Sequence, residues 1–129
     1  MTHCLVVDDS NVIRKVARRI LESHGLEVTE AENGRQAVEQ CLKKTPDAVL
    51  LDWLMPEMNG LEFLGAIRRS KLKPKPYSLY CTTENDPQII TRALAFGANV
   101  YLLKPFDRGT LEEKLGGAGL ISPVAAPPP

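Results

Sequence analysis

The chain contains no run of the roughly 20 apolar residues needed to cross a bilayer, and its first residues lack the basic-then-apolar order of a secretion signal. Both absences lead to the expectation of a soluble, cytoplasmic protein. Neither sign of charge is in excess: 16 basic and 16 acidic side chains leave a formal charge of +0. No global field therefore draws the chain to nucleic acid or to an anionic membrane, and neither is expected as a partner. There is no Cys-x-x-Cys pair and no His-rich stretch. Cys4, Cys41 and Cys81 each stand within apolar segments, where a thiol behaves as a small hydrophobe, so neither zinc nor a disulfide is expected. His3 and His24 read as structural, and His24 beside Gly25 suits the last turn of a helix. No internal repeat is present. With 129 residues and 43% apolar content, the chain is long enough for one domain with a real core and too short for two.

What is there is a regular alternation. Five short β-like runs, "HCLVV", "EVTEA", "AVLL", "SLYC" and "VYLL", are separated by helical patterns, and each is about the usual length of a strand. The first helix is read from Ile13, Val16, Ala17, Ile20 and Leu21, a spacing that gives one buried face. Ser10 caps its start and Gly25 its end. The second carries Gly34, Ala37, Val38, Cys41 and Leu42 behind Asn33. The third runs from about Gly60 to Ser70 behind Asn59 and buries Leu61, Leu64 and Ile67. The fourth starts at Asp86-Pro87, a cap followed by proline at the first helical position, and carries Ile90, Ala93 and Leu94 up to Gly97. The fifth, near residues 107 to 119, faces Leu111 and Leu115 inward, while Gly116, Gly117 and Gly119 weaken its end.

Strands and helices alternating at this spacing predict right-handed βαβ crossovers, hence an α/β, doubly wound, five-stranded parallel sheet with five helices on its two faces. Residues 1–120 form this domain. Residues 121–129, "ISPVAAPPP", are expected to be a disordered proline-rich tail, too short to add an element.

In such sheets the functional site lies beyond the carboxyl ends of the strands. Asp8 and Asp9 follow the first strand, Asp52 the third, Thr82 and Thr83 the fourth, Lys104 and Pro105 the fifth. Each alone is an ordinary loop residue; together they occupy equivalent topological positions around one crevice. Three carboxylates so close repel unless one is protonated or a cation sits among them. Hard oxygens at a half-open site favour Mg²⁺, which keeps several waters and accepts a phosphate oxygen as a further ligand. A cation, a carboxylate nucleophile, a lysine and a hydroxyl form a kit for phosphoryl transfer to Asp52, with Lys104 and Thr82 meeting the equatorial oxygens.

The segments "LVVDDS", "LLDWLMPEMNG", "CTTEND" and "YLLKPF" resemble the receiver domains of two-component response regulators, over about residues 3 to 120. The resemblance implies a flavodoxin-like fold with strand order 2-1-3-4-5, the order that the chemotaxis receiver exemplifies. It implies that Asp52 is the phosphoacceptor, that Asp8, Asp9 and Asp52 hold Mg²⁺ together with the main-chain carbonyl of Leu54, and that Lys104 binds the phosphate. Thr82 and Tyr101 look like the family's switch pair, and the bond before Pro105 is expected to be cis, an isomer found in about one X-Pro bond in twenty. Leu54 and Glu84 stand where receivers tune the lifetime of the phosphate. Asn59 departs from the aspartate common in the family, without consequence for capping.

The implied partners are a histidine kinase or histidine phosphotransfer protein and a downstream protein target. The Asp52-Trp53 pair and "TTE" resemble chemotaxis receivers, whose target would be the flagellar motor switch; a cell-cycle receiver, a phosphorelay member or a phosphate sink is the alternative. The face of helix 4, strand 5 and helix 5 would change on phosphorylation, with Gln88, Arg92, Phe96 and Asn99 as exposed candidates for contact. The basic run Arg68, Arg69, Lys71, Lys73 and Lys75 reads as a solvated loop. An aspartate-nucleophile phosphatase would carry a second aspartate two residues after the nucleophile, where this chain has Leu54, so slow self-phosphorylation and self-hydrolysis are the only enzymatic expectations. A flavin carrier would place its phosphate loop where Asp8 and Asp9 would repel it.

Overall fold

The structure, a computed structural model, describes residues 2–52, 58–83 and 87–122. Its elements follow one another as β1 (His3–Val7), α1 (Asn11–Ser23), β2 (Glu27–Ala31), α2 (Gly34–Lys43), β3 (Ala48–Asp52), α3 (Gly60–Arg69), β4 (Tyr77–Thr82), α4 (Pro87–Ala95), β5 (Val100–Leu103) and α5 (Arg108–Gly117). The strands form one parallel sheet in the order β2-β1-β3-β4-β5, so the doubly wound architecture expected from the alternation is the one observed.

Every residue of β1 and of β3 is buried, which is why these runs show no alternation: helices cover both faces. Successive side chains go to opposite layers. Cys4, Val6, Ala48, Leu50, Leu79, Cys81 and Leu102 meet α1 and α5 through Ala17, Ile20, Leu21, Leu111 and Leu115. Leu5, Val7, Val49, Leu51 and Tyr80 meet the other helices through Ala37, Cys41, Phe63, Leu64, Ile67 and Ala93. All three cysteines are buried and unpaired, and burial pushes their thiols up.

Caps set the helix ends. The side chains of Ser10, Asn33 and Asp107 accept from Ile13, Gln36 and Thr110 main-chain nitrogens, and Asn59 forms a reciprocal capping box with Glu62. At the end of α1, Gly25 takes a φ of +79°, a left-handed conformation that glycine adopts without a Cβ penalty. His24, the C-cap, is fastened across the domain, its Nε2 lying 2.5 Å from Glu112 Oε2 on α5. The Asp86 cap falls outside the described residues.

Leu61, expected to be buried, is only half-buried, and three further helix-face expectations fail for one reason. Val16, Leu42 and Leu94 are exposed, each at the margin of an apolar stripe wider than the strip that the sheet covers. Conversely Phe63 is fully buried and Arg14 nearly so. The glycines do not cut the last helix short, since α5 runs through Gly116 and ends on Gly117. Leu120 and Ile121 pack against the α1 and α5 layer, which holds the chain to the core through residue 121. Residues 123–129 lie outside the described residues. The basic run is tied down locally: Arg68 donates to the Ala95 carbonyl at 3.3 Å and Lys75 to that of Ser70 at 2.6 Å.

Candidate functional site

Asp52 is the last residue of β3 and Thr82 the last residue of β4, so both belong to the strands rather than to the loops beyond them. Sheet register pairs Asp52 with Cys81 and Thr82 with Leu103, which gives these side chains the rigidity of the main-chain ladder. Asp8 sits one residue past β1, its nitrogen donating to the Ala31 carbonyl at 3.1 Å. Lys104 sits one residue past β5, its nitrogen donating to the Thr82 carbonyl at 2.8 Å. The peptide bond from Lys104 to Pro105 is cis, as is that from Lys73 to Pro74.

Strand alternation explains how the side chains converge. Asp8 continues the series of Cys4 and Val6, Asp52 that of Ala48 and Leu50, and Lys104 follows Leu102 by two, all on the α1 and α5 side. Lys104 Nζ lies 2.6 Å from Asp8 Oδ2 and 3.0 Å from Asp52 Oδ1. Asp8, Asp9 and Asp52 offer carboxylate oxygens that all lie within 4.8 Å of one another. Asp8 and Asp52 are buried while Asp9 is exposed, so the cluster opens to solvent on one side.

Burial pushes the Asp52 carboxyl above its ordinary range; the bond from Lys104 pulls it back, and the neighbouring Asp8 charge pushes it up again. Burial works against the Lys104 ammonium, but its bonds to Asp8 and Asp52 outweigh that and hold its pKa above the usual lysine value. Two buried carboxylates thus share one lysine, with a third carboxylate beside them. The donor set is all hard oxygen, half-open, and carries more negative charge than its lysine neutralises, which fits Mg²⁺.

Thr82 and Tyr101 have the opposite strand parity from Asp52 and belong to the other layer. Thr82 follows Tyr80 by two and is buried. Tyr101 is half-buried against that layer, and the Lys114 ammonium of α5 lies 5.6 Å from its ring centroid, within cation–π range. Lys114 was not legible as a partner, because the contact joins β5 to a helix face whose orientation only packing sets. Gln88, Arg92, Phe96 and Asn99 are all exposed. The Asn99 side chain, however, accepts from the Ser78 nitrogen at 2.8 Å, a bond that spends it on joining the strand entrances. Leu54 and Glu84 lie outside the described residues.

The sequence profile described as "Response regulator receiver domain" matches residues 4–116. The chain belongs to this family. It is 41% identical over 114 residues to the chemotaxis protein CheY1 of Helicobacter pylori, covering 86% of this chain and 91% of that one. It is 40% identical to a chemotaxis protein CheY homolog of Campylobacter jejuni, covering 86% of this chain and 87% of the relative. Among solved structures, the chemotaxis response regulator CheY4 of Vibrio cholerae superposes with a TM-score of 0.86 at 36% identity, over 91% of this chain and 98% of that one. This receiver is therefore similar in sequence and fold to chemotaxis response regulators over most of its length. Among the described residues no helix is long and apolar enough to cross a membrane.

Proposed function

We propose that this receiver is a phosphorylation-switched binding protein of the chemotaxis type. A phosphoryl group passes from a phosphohistidine of a kinase or phosphotransfer protein to Asp52. The histidine N–P bond breaks, a bond forms from an Asp52 carboxylate oxygen to phosphorus, and the released imidazole takes up a proton. The observation that carries this reading is the bridge from Lys104 to Asp8 and Asp52 at 2.6 and 3.0 Å, beside a third carboxylate.

Asp8, Asp9 and Asp52 would hold Mg²⁺, with the Leu54 carbonyl as a further ligand. Bound there, the ion would supply charge neutralisation for the phosphoryl oxygens and orientation for in-line attack. Lys104 transfers its bonds from the carboxylates to a phosphoryl oxygen, which offsets the added negative charge. Thr82 offers its hydroxyl to another oxygen. Because Tyr101 lies in the same layer as Thr82, movement of the threonine toward phosphate frees space for the ring, and the surface of α4, β5 and α5 changes with it. Arg92 and Phe96 are exposed on that surface and form its contact with a downstream protein, for which the chemotaxis relatives favour the flagellar motor switch.

The test is a phosphotransfer profile with labelled histidine kinases in Mg²⁺, with Asp52→Asn as control. Rapid labelling by a chemotaxis kinase that is lost in the control is the expected result. Label that persists in Asp52→Asn would overturn the assignment of the acceptor. Labelling by a different kinase alone would move the protein to a cell-cycle, relay or phosphate-sink role.

A further inference from the structure

Arg14 is a cation on the inner side of α1, among Ala17, Ile20 and Leu21. It is 7% exposed, so its charge has to be paired and its donors used. They are used on both sides of the loop that ends β1. Nε donates to Glu30 Oε1 on β2 at 3.0 Å, one terminal nitrogen donates to the Asn11 side chain, and the other to the main-chain oxygen of Asp8 at 2.6 Å.

That oxygen belongs to the peptide group joining the two acids of the candidate cation site. Asp8 is thereby held at every polar atom. Its nitrogen donates to the Ala31 carbonyl, its Oδ1 accepts from the Ser10 nitrogen at 2.9 Å, its Oδ2 takes the lysine and its carbonyl takes Arg14. Asp9 is exposed and depends on this peptide for its position. We propose that Arg14 is a positioning residue for the cation: by pinning the Asp8 carbonyl it sets the plane of the Asp8–Asp9 peptide, and with it the spacing of the carboxylates around Asp52. Mg²⁺ demands near-octahedral ligand directions, so a rotated peptide weakens binding even with every carboxylate present. Lysine cannot replace Arg14, because a compact ammonium lacks the planar fork that spans Asp8, Asn11 and Glu30 together. The inference rests on the reading of Asp8, Asp9 and Asp52 as the Mg²⁺ site.

The experiment is a Mg²⁺ titration followed by the fluorescence of the single tryptophan, Trp53, which follows Asp52 in the chain. It compares the unaltered chain with Arg14→Gln, Arg14→Lys and Glu30→Gln, each also melted without Mg²⁺. Both Arg14 variants should bind Mg²⁺ about tenfold more weakly, the usual scale for loss of a group that orients a ligand. Glu30→Gln removes the nearer of the two carboxylates beside Arg14 and a partner of Arg18 but keeps the bond to Asp8, so it should melt earlier and bind Mg²⁺ within about twofold of the unaltered chain. Arg14→Lys retains a cation and carries the comparison if Arg14→Gln does not fold. A purely structural arginine would lower melting in all three variants and leave Mg²⁺ affinity unchanged, and that result overturns the inference. So does a Glu30→Gln affinity as weak as that of the Arg14 variants. Failure of the unaltered chain to bind Mg²⁺ overturns the cation site itself, and is distinguishable because it needs no substitution.

Discussion

Lys104 donates to Asp8 Oδ2 at 2.6 Å, and so engages one of the two oxygens that Asp8 can offer to a cation shared with Asp9 and Asp52. On the proposed reading, the lysine and the cation would compete for Asp8 in the unphosphorylated protein, and both would neutralise charge once phosphate arrives. Replacing Lys104 by Met should tighten Mg²⁺ binding about tenfold, since a charge-assisted bond of about 1.5 kcal/mol no longer has to be broken. The same variant should melt earlier without Mg²⁺, because two buried carboxylates lose their counter-charge. Mg²⁺ titration checks the sign, and equal or weaker binding would refute the competition.

The reciprocal cap at the start of α3 offers a test of local stability. Asn59 Oδ1 accepts from the Glu62 nitrogen at 2.9 Å, and Glu62 Oε1 from the Asn59 nitrogen at 3.2 Å. Asn59→Ala should cost about 1 kcal/mol, a fall in melting temperature of about 4 °C. Asn59→Asp should be nearly neutral, as the two caps are of similar quality. Calorimetry on the two variants separates them, and identical melting would show that the box does not matter.

Gly34 opens α2 against the segment leading to α3. A Cβ there would stand 2.6 Å from the Met58 carbonyl oxygen and 2.8 Å from its Cγ. Because one of the clashing atoms is backbone, the neighbour cannot simply turn away. Gly34→Ala should destabilise the fold by about 1 to 3 kcal/mol, whereas helix propensity alone would make the substitution stabilising. Urea unfolding decides between the two signs.

His3 predicts a slope of stability with pH. It is buried, its Nε2 lies 2.8 Å from Thr29 Oγ1, and its Nδ1 has no hydrogen-bond partner among the described residues. Burial lowers its pKa; nearby Glu27 and Asp47 work against that and Lys44 with it. The folded state thus prefers the neutral ring, and the unfolded chain takes up a proton first. Stability is complete above the unfolded value of about 6.5 and declines as pH falls through it toward the lower folded value. Urea midpoints measured on both sides of that pH should show the decline, and His3→Gln should flatten it.

Local patterns had strong physical warrants here. Runs covered on both faces read as central strands, and Ser10, Asn33, Asn59 and Gly25 marked helix ends by hydrogen bonds and φ preferences that act within a few residues. Asp8, Asp52 and Lys104 could be named because the parallel alternation assigns each strand end to one rim. Helix faces were less legible. Periodicity includes Val16, Leu42 and Leu94 in the apolar stripes, yet how much of a stripe is covered depends on where the helix axis settles over the sheet.

Sequence by itself determined the number and order of the elements, the open rim and the chemistry gathered on it, because alternation, caps and residue types are local or topological properties. Tertiary structure alone decided which oxygens Lys104 holds, that Asn99 is committed to the Ser78 main chain, that Lys114 meets the Tyr101 ring, and that Arg14 reaches the Asp8 carbonyl. Those contacts join residues far apart in the chain or across a helix turn, and their lengths follow from how whole elements pack.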